Sequence, residues 1–205
     1  METIFFIAFC FCLGITSGFL AGLLGIGGGI VIVPALALYF AEIDRHTQEN
    51  TVIVAVATSL ACIIFTTAAA AITQIRAKRV NVVAARRLLP GLIIGSPLAG
   101  YFAPMLPIGF LKVFFGLFLL AVAVVMFLQW KPTPNRQFPG TRLAVVIGTA
   151  TGCVSALVGI AGGNILVPTL TFFNIAPHQA TATASALGVP LALFGALSYG
   201  LSDQP

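Results

Sequence analysis

Charge is the scarcest property of this sequence. Ten basic and five acidic residues supply 7% of its 205 positions, against about 25% in a soluble domain. With 59% hydrophobic residues and a mean hydropathy of +1.08, the chain cannot cover its surface in water. The acidic residues Glu2, Glu42, Asp44, Glu49 and Asp203 lie at the ends or between apolar runs, so none is offered to a proton relay or a cation within a membrane. Cys10, Cys12, Cys62 and Cys153 sit inside apolar runs without a CxxC or a Cys/His cluster, which leaves no expected disulfide, metal site or cofactor. No acid, base and nucleophile cluster, so an enzyme is not expected. A net charge of +5 would suggest nucleic acid in a soluble protein. Here the cations lie between apolar runs and report topology instead, and no nucleic-acid partner is expected.

What the sequence has in quantity is apolar length. Runs lie at 4–24, 26–41, 50–75, 88–104, 108–128, 142–158, 160–175 and 181–200. Several reach the roughly 20 residues that span a bilayer as a helix, and strand-like alternation is absent. The fold class is therefore an all-α polytopic membrane protein, with the lipid bilayer as its partner and the inner (plasma) membrane as its location. The first run lacks a basic leader and reads as a retained helix rather than a signal peptide. Arg76, Lys78, Arg79, Arg86 and Arg87 make one connection wholly basic, and Lys131, Arg136 and Arg142 mark another. Both are predicted to be cytoplasmic, with the spans 88–104 and 108–128 between them.

The chain is internally duplicated. GFLAGLLGIGGGIVIVPAL (18–36) matches GCVSALVGIAGGNILVPTL (152–170) without gaps, with nine identities in nineteen positions. AVATSL (55–60) then faces ATASAL (182–187), with His46 and His178 preceding each segment. The expected division is a first membrane repeat at 1–129, a cytoplasmic linker at 130–141 and a second, shortened repeat at 142–205. Ending in a polar turn before counterparts of 88–104 and 108–128, the chain reads as a fragment. If 4–41 is a hairpin broken at its glycines, the N-terminus is outside and the repeats are inverted, a recurring transporter architecture. A single broken span there would make them parallel.

Gly25, Gly27, Gly28 and Gly29 put four glycines in five residues at membrane depth, and Gly159, Gly162 and Gly163 repeat the pattern, each followed by a proline, Pro34 or Pro168. Non-helical backbone persists there only where protein buries it or where it lines a wet cavity. Glycine permits positive φ and close approach. Helix N-termini opening at Ile30 and Asn164 would aim positive dipole ends into such a cavity and hold an anion without a fixed cation. The alternative is that the glycines serve only tight helix crossing. Thr51, Ala55, Thr58, Cys62, Thr66, Ala69 and Thr73 form a small, partly hydroxylated stripe, and Thr181, Ser185, Gly188, Ala192 and Gly195 form a second. Thr58, Ser59 and Ser185 are the candidates there for lining a path. His46 and His178 read as loop residues, and Lys112 as a side chain that snorkels.

The paired G-x-GGG-x4-P and A-T-S elements resemble the TauE/SafE family of sulfite exporters, also called 4-toluene sulfonate uptake permeases. The resemblance covers nearly the whole chain, and that family is usually longer. It departs at Ala161, a glycine in the first copy, and at TASA in place of ATS. It implies a multi-pass secondary active transporter, exporting small sulfur-containing anions such as sulfite or organosulfonates. The expected partners are a small anionic substrate and a coupling ion, with homo-oligomerisation left open. A passive anion channel, or another inorganic-ion permease of the same fold, is the alternative.

Overall fold

The computed structural model describes residues 9, 11–19, 29–43, 51–127 and 138–201, and these are helical apart from short connections. The helices are α1 (11–19), α2 (Gly29–Ile43), α3 (Thr51–Arg76), α4 (Val82–Phe102), α5 (Ile108–Phe127), α6 (Thr141–Val158), α7 (Gly163–Phe172) and α8 (Pro177–Leu201). A 3₁₀ turn, Ala103–Met105, extends α4. The stretches Ala55–Arg76, Val82–Met105, Thr141–Val158 and Pro177–Leu201 are long and apolar enough to cross a membrane. Large apolar side chains such as Phe65, Leu117, Val146 and Leu197 are exposed, as a lipid-facing surface requires. The chain is an all-α membrane protein.

The fourth helix corrects its expected start. Val82, not residue 88, opens α4, because the Asn81 carboxamide oxygen accepts from the Ala84 N–H at 3.1 Å and caps it. Asn81 is itself held by its N–H donating to Thr183 Oγ1 at 2.9 Å. Arg86 and Arg87 therefore belong to the first turns of a membrane helix, and the basic connection shrinks to a tight turn with Lys78 at φ 55°. Arg87 Nη1 donates to the Pro139 carbonyl at 3.0 Å, with its guanidinium carbon 5.9 Å from the Phe138 ring centre. The α3–α4 turn and the lead-in to α6 thus share one end of the bundle.

Small residues set the interior packing, as expected where lipid removes the usual hydrophobic drive between helices. Gly91 and Gly95 on α4 meet Gly148 and Gly152 on α6. A Cβ on Gly152 would lie 3.0 Å from both Leu92 O and Ser96 N, and one on Gly95 would overlap the Thr149 carbonyl. Cys153 Sγ donates to Gly95 O at 3.1 Å across this crossing. The pairing runs Leu88 with Gly148 and Leu92 with Gly152, so α4 and α6 are parallel. Asn81 meets Thr183 and Ser198 Oγ donates to Pro97 O at 2.7 Å, which makes α8 parallel to α4 as well. Helix α3 opposes α8, Thr67 lying against Gly188 and Leu60 against Gly195.

Helices α6 and α7 form a hairpin. Phe138, just before α6, packs edge-on to Phe173, just after α7, with centroids 5.8 Å apart. The chain enters and leaves this hairpin at one end of the bundle, and its tip, residues 159–162, is buried.

Candidate functional site

The tip of the hairpin is built by two left-handed glycines. Gly159 at φ 73° closes α6, its N–H donating to Ala156 O and the Ile160 N–H to Ser155 O, a Schellman ending. Gly162 at φ 75° opens α7, its carbonyl accepting from Ile165 and Leu166 N–H at 3.1 and 2.8 Å. A side chain at either position would be strained.

First-repeat elements pack on one side of this second-repeat tip, and α8 on the other. A Cβ on Gly29 would overlap the Gly159 carbonyl and lie 3.0 Å from Ile160 Cα, so the two glycine motifs touch through their backbones. Ser59 Oγ donates to Gly159 O at 2.9 Å, and Gly159 packs on Val33 and Val56. On the far side Gly188 comes against Ala161 O, and Leu191 against Gly162. These contacts fall in the first half of α3 and near the middle of α8.

Polar groups at the tip lack partners. Among the described residues, the N–H groups of Ala161, Gly162, Gly163 and Asn164 donate to no backbone carbonyl. The Asn164 carboxamide nitrogen and oxygen are buried and unpaired, as is Ser155 Oγ in a residue only 1% exposed. That hydroxyl sits 3.3 Å from where a Gly162 Cβ would be. Pro168 has no N–H, so the Asn164 backbone carbonyl loses its helical donor too. Buried polar groups are otherwise almost always paired. A helix start leaves its first N–H groups without intrahelical partners, and N–H groups so placed favour negative charge.

Of the residues singled out in the sequence, the structure brings together Gly29, Ser59, Gly159, Gly162, Gly163 and Asn164. Pro34 and Pro168 lie half-buried within α2 and α7, where each deprives the helix of one donor. Thr58 is half-buried on α3 beside Ser59, and Ser185 Oγ donates to Thr181 O within its own helix. Gly25, Gly27 and Gly28 fall outside the described residues. Cys62, Thr66, Ala69 and Thr73 face outward on α3, and the inward row is Val56, Ser59, Ile63, Thr67 and Ala71. Ser155 escaped the sequence reading. Its signal was the Ala21/Ser155 pair in the aligned copies, where the second copy gains a hydroxyl. No group of three or more metal-ligating side chains occurs among the described residues.

A family model described as "Sulfite exporter TauE/SafE" matches residues 10–204. The chain is 28% identical to the Bacillus subtilis "Probable membrane transporter protein YunE", over 94% of this chain and 77% of that one. It is 34% identical to a Haemophilus influenzae "Probable membrane transporter protein", over 96% and 75%. A Methanocaldococcus jannaschii protein of the same description is 29% identical, over 90% and 68%. No solved structure matches significantly.

Proposed function

The chain belongs to the TauE/SafE family, a family of membrane transporters, and from that premise we propose that it moves small sulfur-containing oxyanions, in the export direction, across the inner membrane. One observation carries the anion reading: the unpaired N–H groups of 161–164, with Ser155 and Asn164, at a buried tip where the two glycine motifs meet. Helix starts carry about half a positive charge each, and scarce water there leaves that charge little screened. The organisation is two membrane units, 1–129 and 142–205, joined by 130–141 and inverted with respect to one another. The antiparallel run of the counterparts α3 and α8, and the hairpin form of α6–α7, support inversion. Alternating access would rock one unit against the other around the tip.

Flux in proteoliposomes tests the transport reading. Sulfite or methanesulfonate uptake should saturate and accelerate with anion on the opposite side. Non-saturating flux, without such acceleration, points instead to a channel. Binding separates anion from cation readings. Asn164→Asp puts a carboxylate beside the free N–H groups and should weaken oxyanion binding at least about tenfold more than Asn164→Gln. Equal binding by the two variants would remove the α7 start from the site.

Orientation is tested by cysteine labelling in a cysteine-free background. A cysteine at Val80 should be shielded from an impermeant thiol reagent in intact cells, and one at Glu2 should react. Labelling at position 80 would reverse the orientation. Protection at position 2 would favour parallel units.

A further inference from the structure

The unpaired groups at the tip include acceptors as well as donors, and that asks for more than a bare anion. The donors are the N–H groups of 161–164, the Asn164 Nδ2 amide and the Ser155 hydroxyl. Asn164 Oδ1 is also buried and unpaired, and it can only accept. A fully deprotonated oxyanion offers acceptors alone and competes with Oδ1 for the donors of the tip. An oxyanion that keeps one hydroxyl satisfies both sets. Resting on the anion reading above, we infer that the tip binds oxyanions in a singly protonated, hydroxyl-bearing monoanionic form, with Asn164 Oδ1 taking the ligand's O–H and the α7 N–H groups taking its charged oxygens.

The duplication assigns this recognition to one copy. Asn164 and Ser155 correspond to Ile30 and Ala21 in the first repeat, which have no polar side chain to contribute. A proton that titrates with binding must be the ligand's own, because among the described residues the surrounding helices place no titratable group at the tip. Helix α7 has no titratable side chain. Cys153 on α6 donates to Gly95 O, Tyr199 on α8 to Ala156 O, and Cys62 on α3 is on the exposed face. Tyr39 on α2 stacks on Phe9, while Arg76, Arg142 and His178 lie at exposed helix ends.

Calorimetric binding to the purified chain in lipid nanodiscs tests this, with sulfite as a ligand that can carry a hydroxyl and methanesulfonate as a monoanion of similar size that cannot. At a pH where sulfite is singly protonated, it should bind at least about tenfold more tightly, the cost of one unsatisfied buried acceptor. As pH rises through the ligand's last ionisation, sulfite affinity should fall and binding should take up about one proton, while methanesulfonate stays level. Asn164→Leu should bring the two ligands to similar affinity. Equal affinities in the unaltered chain, or sulfite affinity that rises with pH, would overturn the inference and leave the anion site standing. Failure of both ligands to bind would overturn the anion site itself.

Discussion

Gly162→Leu should reduce oxyanion flux by at least about a hundredfold in protein that still reaches the membrane. Two effects act at once. Gly162 has φ 75°, where an L-residue with a branched side chain is costly by roughly 1–2 kcal/mol. Its Cβ would lie 3.0 Å from Leu191 Cδ1 and 3.3 Å from Ser155 Oγ, so the rest of the leucine would crowd Leu191 and Ser155 beside the N–H groups. Gly162→Asn separates the two, since asparagine tolerates the left-handed region while still crowding Leu191 and Ser155. Flux lost in both variants indicates occlusion. Flux kept in the asparagine variant alone would mean that backbone shape matters and space does not. Normal flux in the leucine variant would remove the tip from the transport path. Flux has to be normalised to the amount of folded protein in the membrane.

The break was legible in the sequence because duplication made it so. One glycine cluster could have been a packing device, but a second copy with its proline retained favoured a functional break; in the second copy Gly159 and Gly162 adopt the backbone that only glycine takes easily, while Gly25, Gly27 and Gly28 lie outside the described residues. The start of α4 was illegible to hydropathy. Arg86 and Arg87 depress the local average, yet long cationic side chains can lie along a helix and reach out of the membrane, and Asn81 was already in place as its cap. The α3 stripe shows another limit. Periodicity reveals rows of small residues, but the row facing inward is decided by where α8 crosses, which no local pattern contains. The hydroxyl row Thr66–Thr73 faces out, its Thr73 satisfied by Ala69 O, while Ser59 and Thr67 face in. Ser155 was hidden for a chemical reason: one serine among small residues is unremarked until its hydroxyl is found without a partner.

Among the described residues, the α4–α6 crossing should be a highly sensitive packing contact. Gly95→Leu would force a Cβ into the backbone of Thr149, and backbone, unlike a flexible side-chain tip, cannot rotate aside. Moving α6 away would break the Cys153–Gly95 and Arg87–Pro139 contacts and open the Gly91–Gly148 seam beside it. Overpacking of this kind costs about 3 kcal/mol, at the upper end for an inserted side chain, because the clash is with the backbone of α6 rather than with a side chain that can yield. Gly116 on α5 offers the control, since it has nothing within 4 Å of an added Cβ. Gly116→Leu should not destabilise the parent, since leucine is the better helix former by up to about 1 kcal/mol. Reversible unfolding in mixed detergent micelles measures both. Helix α6 also carries Ser155 in its last turn, beside the tip of the hairpin. A partly folded Gly95→Leu protein should therefore lose oxyanion binding in step with its displaced α6, whereas Gly116→Leu should keep it. Equal stability of the two variants would show that α4 and α6 are not held by their glycines.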